Sequence, residues 1–224
     1  MKKTIIQTDD GSPSIFVEEL KETYHSRNGA VTESDYVYIR KGMQFWTENK
    51  PEKSLQVFEL GLGTGLNAYL SYVFSMENQL DCTYFSVEKF PLSEDEIKAL
   101  DMKASLPSPQ HQHFFDRLHQ LEWDQIHSHP HFNFQKQKTD FFTLPLDTQF
   151  DVLFYDAFGY HAQSDLWQED ALQKSYELLR PGGVWVSYCA KGTVRRSLEQ
   201  VGFQVERLEG PLGKREMLRA IKNL

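Results

Sequence analysis

The sequence predicts an α/β fold in which a mostly parallel sheet has helices between its strands. From Ser54 onward, short apolar runs alternate with amphipathic segments, the pattern of repeated strand-helix-strand units. The run FDVLFYDAF (150–158) is apolar without alternation, which indicates a strand covered on both faces. The closing segments FQVERLEG and REMLRAIK predict two strands joined by a turn at PLGK. We therefore expect seven strands that end in an antiparallel hairpin.

The first half of this layout has clear local signals. Strands are predicted over 55–60, 82–88 and 132–139. In the last of these, apolar and polar residues alternate only at the start, so we expect that strand near a sheet edge. A helix is predicted over 66–76. Another should begin at Ser93, which forms a capping box with Glu96. A third, HFFDRLHQLEW, places its apolar residues on one helical stripe.

The second half continues the alternation of helix and strand. The segment DLWQEDALQKSYELL predicts a helix that ends at Arg180. The sequence Pro-Gly-Gly that follows should stop this helix before the strand VWVSYC. Thr193 is expected to cap a last helix, VRRSLEQV, which Gly202 ends. Residues 1–50 lie outside this count, and we expect a small appendage packed on a 51–224 domain.

Composition and charge limit the classes of protein that fit. The formal net charge of −8 argues against wholesale coating of a nucleic acid, although cations concentrated late in the chain permit a local basic site. No stretch is apolar for long enough to span a bilayer or form a signal peptide. The two cysteines, Cys82 and Cys189, have no CxxC spacing and are expected to be free thiols. We therefore expect a soluble, cytoplasmic protein.

Six of the eight histidines fall within residues 111–131. Such a cluster can indicate a metal site, but these His-x-His repeats lack the second half of a zinc pattern, and no cysteine lies nearby. We expect a solvated loop and no metal.

A glycine turn follows the first strand of the sheet, in the string Glu59-Leu-Gly61-Leu-Gly63-Thr-Gly65-Leu-Asn67. Its spacing differs from the GxGxxG of dinucleotide sites, where the third glycine allows close packing below a pyrophosphate. S-adenosylmethionine has no phosphate, and a carboxylate such as Glu59 can hold its ammonium group. The glycines would let the backbone approach this cofactor closely. A structural or phosphate-binding turn is the alternative.

Acidic residues end the later strands, at the edge of the sheet where ligands bind. Glu88 is placed to bind both ribose hydroxyls of the cofactor. An acidic residue at this position is also common in nicotinamide sites, so Glu88 alone does not distinguish the two cofactors. Asp140 could accept a hydrogen bond from the adenine amino group or only cap a turn. Asp156, which ends the fourth strand, could accept a proton from an amine nucleophile or orient it. Its alternative role is to cap a turn or hold the cofactor.

These signals together predict a class I S-adenosylmethionine-dependent methyltransferase fold, Rossmann-like, with seven strands. The segment LLRPGGVWV is often seen in this class, and a terminal hairpin is less typical of a nicotinamide domain. Five segments, VFELGLGTGLNA, FSVEKFPLS, FYDAFGYHAQSDLW, KGTVRRSLEQVGF and GPLGKREML, resemble in order the methyltransferase domain of the MnmC family. The resemblance runs from about Phe16 to Leu218.

The resemblance implies methylation of the amine of 5-aminomethyl-2-thiouridine at the tRNA wobble position. Asp156 would lie beside the amine, and the cofactor would contact Glu59, Gly61, Gly63, Gly65, Asn67, Glu88, Asp140 and Asp156. The substrate would contact Phe158 and Tyr160 in a base pocket and, near the tRNA backbone, Arg195, Arg196, Lys214 and Arg215.

The sequence departs from the two-domain family members in one respect. Those proteins carry a second, FAD-dependent oxidase domain, and this chain is expected to lack the oxidase step, so that separate upstream enzymes supply the aminomethyl uridine. Two alternatives remain open: a methyltransferase that acts on another amine or nucleic acid, and a noncatalytic RNA-binding module that retains the fold.

Overall fold

The first fifty residues form a small sheet and one long helix. The structure, a computed structural model, describes residues 1–50 and 54–224. Strands β1 (Lys3–Gln7), β2 (Pro13–Val17) and β3 (Glu22–Thr23) pair antiparallel in that order. The helix that follows is built from α1 (Ala30–Ser34), a π-helical stretch (Asp35–Gln44) and α2 (Phe45–Asn49).

This helix packs directly on the main sheet. Val37, Tyr38 and Met43 are buried and belong to the same hydrophobic core as the sheet residues. Gly42 marks a close approach, because a Cβ atom there would lie 3.1 Å from side-chain atoms of both Phe154 and Val186. The predicted division at residues 50 and 51 borders residues outside the described ranges and stays a prediction.

The main sheet has eight strands. In chain order they are β4 (Ser54–Leu60), β5 (Asp81–Glu88), β6 (Ile126–His129), β7 (Phe132–Lys138), β8 (Phe150–Tyr155), β9 (Leu179–Ser187), β10 (Phe203–Glu209) and β11 (Glu216–Lys222). Across the sheet their order is β10-β11-β9-β8-β4-β5-β7-β6. The five central strands are parallel, and β11 pairs antiparallel with both β10 and β9. The mostly parallel sheet and the closing hairpin are confirmed, whereas the predicted count of seven strands is wrong by one.

The additional strand, β6, lies in the histidine-rich segment that was predicted to be a loop. It pairs antiparallel with β7, so β7 is the second strand from the edge of the sheet, near the edge as predicted. The ring of His129 packs against Phe114 and Tyr72, at centroid distances of 5.2 and 5.9 Å. These contacts and the ladder with β7 explain why the segment is ordered. Within residues 1–50 and 54–224, no three metal-binding side chains are grouped to hold an ion.

The remaining helices are α3 (Leu66–Asn78), α4 (Glu94–Leu100), α5 (Gln112–Leu118), α6 (Glu169–Leu178) and α7 (Gly192–Gln200). Short 3₁₀ turns lie at Met102–Ser105, Pro109–His111, Phe141–Thr143 and Ser164–Trp167. Among the helices of the described ranges, none is both long enough and apolar enough to cross a bilayer.

Several helix boundaries differ from those expected. The capping box of Ser93 and Glu96 is present, but α5 stops at Leu118. The Pro-Gly-Gly segment does not separate helix from strand, because β9 already begins at Leu179 and contains it. The ladder between β8 and β9 shifts register there, which accommodates the proline. Thr193 does not cap α7, whose N-cap residue is Lys191.

Candidate functional site

A cavity of about 700 Å³ opens where the parallel strands β4, β5 and β8 end. Carboxyl ends of parallel strands share one edge of a sheet, which is where open α/β sheets bind ligands. The predicted site residues that line this cavity are Gly61, Gly63, Asn67, Glu88, Asp140, Asp156, Phe158 and Lys214. Those that do not line it are Glu59, Gly65, Tyr160, Arg195, Arg196 and Arg215.

The glycine turn brings main chain close to the cavity. Gly61 has φ +95°, and a Cβ atom there would lie 3.0 Å from the carbonyl oxygen of Asp156. Gly63 has φ +52° and faces the ring of Tyr24. Both positions therefore require glycine. Gly65 lies away from the cavity, and its missing side chain instead makes room for Leu118.

Two partly buried histidines hold this turn through Thr64. His25 Nε2 lies 3.1 Å from Thr64 Oγ1, and His119 Nε2 lies 2.9 Å from the Thr64 carbonyl oxygen. Burial lowers the pKa of both imidazoles to about 4, so both are neutral at pH 7. The turn is thus positioned by one residue from the N-terminal region and one that follows α5.

Glu59 is fully buried and does not line the cavity, and its contact with the cofactor's ammonium stays a prediction. Its side chain is fully buried and accepts a hydrogen bond of 2.6 Å from Ser86 Oγ at Oε2. The other oxygen, Oε1, has no hydrogen-bond partner among the described residues. Burial raises the pKa of Glu59 to about 8, so the carboxyl is mostly protonated at neutral pH.

Glu88 faces the cavity as predicted and is held by main-chain amides. Its Oε2 accepts a hydrogen bond of 3.1 Å from the Gly63 amide, and its Oε1 accepts one of 2.8 Å from the Phe90 amide. These bonds connect the end of β5 to the glycine turn and fix the orientation of the carboxylate.

Asp140 also lines the cavity, but it has the turn-capping role weighed as its alternative. Its Oδ1 accepts a hydrogen bond of 2.9 Å from the Phe142 amide, and Lys89 Nζ lies 2.6 Å from Oδ2. The hydrogen bond from Lys89 is the main reason that the pKa of Asp140 is lowered. Its contact with adenine stays a prediction.

Asp156 lines the cavity and accepts a side-chain hydrogen bond at each carboxylate oxygen. Tyr38 Oη donates a hydrogen bond of 2.6 Å to Oδ1, and Asn67 Nδ2 donates one of 2.8 Å to Oδ2. Burial raises the pKa of Asp156 to about 7, although both hydrogen bonds act in the opposite direction. Near neutral pH this group can both accept and release a proton, as acid-base chemistry requires.

A second part of the cavity lining comes from residues that are distant in sequence. Glu33 lies in α1 and forms an ion pair with Lys214, in the turn between β10 and β11. Lys214 Nζ lies 3.9 Å from the centre of the Tyr188 ring. Phe158 packs edge-on against Tyr24, at a centroid distance of 5.0 Å. We refer to this part of the cavity, together with Asp156 and Tyr38, as the acceptor end, and to the part around the glycine turn and Glu88 as the cofactor end.

Sequence reasoning missed three residues of this region: Glu33, Tyr38 and Tyr188. The segment that contains Glu33 and Tyr38 is dense in carboxylates and aromatic rings, which was its one signal. Tyr188 follows β9 directly, at the same sheet edge as Asp156, and strand-end position could have identified it.

A second, open hollow adjoins the acceptor end. Its basic residues are Lys191, Arg207, Lys214 and Arg215, and Lys214 lines both hollows. Tyr160 lies beside it, with Lys191 Nζ 3.5 Å from the centre of its ring. Arg195 pairs with Glu199 on α7, and neither Arg195 nor Arg196 lines this hollow or the cavity.

The fold and this cavity define a class I methyltransferase. Residues 134–223 match the model of a family described as S-adenosyl-L-methionine-dependent methyltransferase. The fold resembles that of MnmC2 from Aquifex aeolicus, with a TM-score of 0.79 and 26% identity over 98% of this chain and 70% of that one. The spermidine synthase of Thermotoga maritima shares the fold at a TM-score of 0.57 and 13% identity, over 98% of this chain and 68% of that one.

Comparison with curated sequences finds further similar proteins. The bifunctional tRNA 5-methylaminomethyl-2-thiouridine biosynthesis protein MnmC of Nitrosospira multiformis is 28% identical, over 88% of this chain and 33% of its own length. The protein of the same name from Actinobacillus pleuropneumoniae is 27% identical, over 90% of this chain and 32% of its own length. The chain is therefore similar to one part of these relatives, and it spans about a third of their length.

The residues of the cofactor end fit S-adenosylmethionine, the cofactor of the matched family. A Cβ atom at Gly61 would lie 3.0 Å from the Asp156 carbonyl oxygen, so the glycine lets the main chain after β4 lie close to the end of β8 beside the cavity. Glu88 presents a carboxylate held in place by two amides, which suits a pair of ribose hydroxyls. Gly61, Gly63 and Glu88 would hold the cofactor.

Proposed function

We propose that this protein methylates the primary amine of 5-aminomethyl-2-thiouridine at the wobble position of tRNA. The observation that carries the proposal is Asp156, a carboxylate with a pKa of about 7 that lines the cavity and is held by Tyr38 and Asn67. An amine is protonated at neutral pH and must lose a proton to become a nucleophile. Asp156 is suited to accept that proton and to orient the amine.

In the proposed reaction, the residues of the cavity orient the amine, accept its proton and border the reacting atoms. When bound, S-adenosylmethionine supplies a methyl group on a sulfonium sulfur, ready for in-line displacement. Asp156 takes the proton that the substrate nitrogen releases. Tyr38 and Asn67 hold the two carboxylate oxygens, so the base is oriented before the substrate arrives. The apolar rings of Phe158 and Tyr24 border the cavity and limit access of water.

The identity of the acceptor is supported by the relatives and by charge. The curated relatives are named for biosynthesis of tRNA 5-methylaminomethyl-2-thiouridine. Lys191, Arg207 and Arg215 give an otherwise acidic protein a local basic hollow beside the cavity, which suits contact with a few phosphates near one base. The reaction starts from an aminomethyl uridine, so a separate reaction must supply that group.

The test is methyl transfer to tRNA that carries 5-aminomethyl-2-thiouridine. The purified protein is incubated with this tRNA and the cofactor, and the nucleosides are analysed by mass spectrometry. We expect a gain of one methyl group at the wobble uridine, and none with tRNA whose wobble uridine lacks the amine. No gain with the aminomethyl tRNA would reject the substrate assignment.

Two alternatives predict other results. If the acceptor is a small amine or another nucleic acid, the wobble nucleoside of a deletion strain will be normal. If the protein is a noncatalytic RNA-binding module, it will bind tRNA and cofactor without transfer, and Asp156→Asn will behave as the wild type.

A further inference from the structure

Lys214 lies between the cavity and the basic hollow and lines both. Its ammonium group forms an ion pair with Glu33 and lies 3.9 Å from the centre of the Tyr188 ring. The ammonium is therefore held by a carboxylate and an aromatic face, inside the cavity where the acceptor amine must bind.

Glu33 is a buried carboxylate that needs a cationic partner. Its residue is only 7% exposed, and its Oε2 accepts a hydrogen bond of 2.8 Å from the Ser26 amide. Its Oε1 is bound by Lys214 Nζ. Removing a cation from a buried carboxylate is costly unless another cation takes its place. The position beside Glu33 and Tyr188 is thus a site for one ammonium group, whichever molecule provides it.

We propose that Glu33 and Tyr188 form the binding site for the acceptor's ammonium group, and that Lys214 fills this site until the substrate displaces it. The displaced lysine turns toward the basic hollow, where it contacts a phosphate of the bound nucleic acid. This inference rests on the proposed function, because it takes the acceptor to be an aminomethyl group on tRNA.

The chemistry of the two cations is matched. A lysine ammonium and a protonated aminomethyl group each carry one positive charge and three N–H donors. Either can pair with the carboxylate of Glu33 and lie over the face of Tyr188. The long, flexible stem of Lys214 allows its head group to exchange between two neighbouring anions.

Charge around Asp156 links this site to the proposed base. The charge of Glu33 acts to raise the pKa of Asp156, whereas the charge of Lys214 acts to lower it. Glu33, Asp156 and Glu22 all line the cavity, and Lys214 is the cation that offsets them at the acceptor end. When Lys214 leaves, the carboxylates favour a cationic acceptor over a neutral one. The site would therefore select an aminomethyl group against a hydroxymethyl group of similar size.

The experiment measures binding of two free nucleosides, 5-aminomethyluridine and 5-hydroxymethyluridine, by titration calorimetry in the presence of S-adenosylhomocysteine. The variants are Lys214→Gln, Glu33→Gln and the double variant. Lys103→Gln is the matched control, because Lys103 also pairs with a carboxylate, that of Asp116, but lines neither hollow. Thermal unfolding of each variant checks that it is folded.

Lys214→Gln and Glu33→Gln should change the affinity for the aminomethyl nucleoside in opposite directions. Lys214→Gln should bind the aminomethyl nucleoside about tenfold more tightly, since the competing ammonium is gone, and should bind tRNA several-fold more weakly, since a phosphate contact is lost. Glu33→Gln should weaken binding of the aminomethyl nucleoside, and the double variant should lose the gain. The hydroxymethyl nucleoside and the Lys103→Gln protein should show neither change.

The inference is wrong if Lys214→Gln fails to tighten binding of the aminomethyl nucleoside, or if both nucleosides respond alike. It fails alone, with the proposed function intact, if the wild type methylates tRNA and this pattern is absent. If the pattern is present but the wild type transfers no methyl group to aminomethyl tRNA, the ammonium site stands and the tRNA assignment fails.

Discussion

The two ends of the cavity are assembled in different ways. The cofactor end is built from one short stretch of chain, since Gly61 follows β4, Glu88 ends the adjacent strand β5, and the Gly63 amide donates to the Glu88 carboxylate across 25 residues. The acceptor end joins parts far apart, because Tyr38 binds Asp156 across 118 residues and Glu33 binds Lys214 across 181. The glycine turn and Glu88 thus come from one segment of the chain, with His25 and His119 holding the turn through Thr64, whereas the acceptor end joins segments that are far apart in sequence.

The largest expected effect tests whether the acceptor end carries the chemistry. Asp156→Asn keeps the shape of the side chain but removes the proton acceptor, so turnover should fall by about 10²-fold or more. Affinity for S-adenosylhomocysteine should change little, because Gly61, Gly63 and Glu88 are untouched. Single-turnover methyl transfer and calorimetry measure the two quantities. A variant that transfers methyl at the normal rate would remove the proposed role of Asp156.

Gly61→Ala should instead weaken cofactor binding at the cofactor end. The substitution adds a Cβ atom at φ +95°, 3.0 Å from the Asp156 carbonyl oxygen, and we expect cofactor affinity to fall by about tenfold. Gly11→Ala is the control, because Gly11 also has a positive φ, +80°, but nothing lies within 4 Å of the added atom. Equal cofactor affinities in the two variants would argue against close packing at Gly61.

A smaller change should follow loss of the hydrogen bond between Tyr38 and Asp156. That bond favours the charged carboxylate, so Tyr38→Phe should raise the pKa of Asp156 from about 7. Methyl transfer requires the deprotonated base, and the rising limb of kcat/KM against pH should move to higher pH by about one unit.

The matched control for this shift is Tyr36→Phe. Tyr36 lies in the same helix, but its hydroxyl donates to the Glu209 carbonyl oxygen and does not line the cavity. A profile that is unchanged in Tyr38→Phe, or shifted equally in both variants, would show that Tyr38 does not tune the base.

The smallest expected effect is on the free energy of unfolding, and it comes from Glu59. The folded-state pKa of Glu59 is about 8 against an ordinary value of 4.5. Between these two pH values the carboxyl is protonated in the native protein and ionised in the unfolded chain. Stability should therefore fall as pH rises from about 5 to 8, by at most about 1.4 kcal/mol per pH unit from this group. Glu59→Gln, which cannot ionise, should flatten the slope.

Denaturant unfolding at several pH values measures that slope. Asp156 contributes in the same direction, since its pKa is also raised, so a residual slope should remain in Glu59→Gln. Glu94→Gln is the control, because the side chain of Glu94 is 90% exposed. An unchanged slope in Glu59→Gln would show that this carboxyl does not carry the extra proton.

The same contrast explains how much could be predicted from sequence. The glycine turn, β4, β5, β8 and the closing hairpin follow from periodicity and turn residues, which act over a few neighbours. Glu59 shows the limit of that reasoning. Its place in the motif was clear, but strand pleating directs its side chain toward Ser86, beneath the cavity floor.

Other misses have tertiary causes. β6 was not predicted because its stability comes from pairing with β7 and from the packing of His129 on Phe114, which no local pattern reveals. Tyr38 and Glu33 have no motif at all, and they reach the site only because the helix of residues 30–49 lies against the sheet at Gly42. Strand ends can be predicted from sequence, but the element that covers them cannot.

The ion pair of Glu33 with Lys214 also has a consequence for the order in which the site is made. Its partners are separated by 181 residues, and a ribosome adds about 5–20 residues per second, so Lys214 is synthesised roughly 10–40 s after Glu33. The glycine turn and Glu88 leave the ribosome much earlier. On a nascent chain, the surface for the methyl donor can form first, and the part that selects the acceptor is completed last.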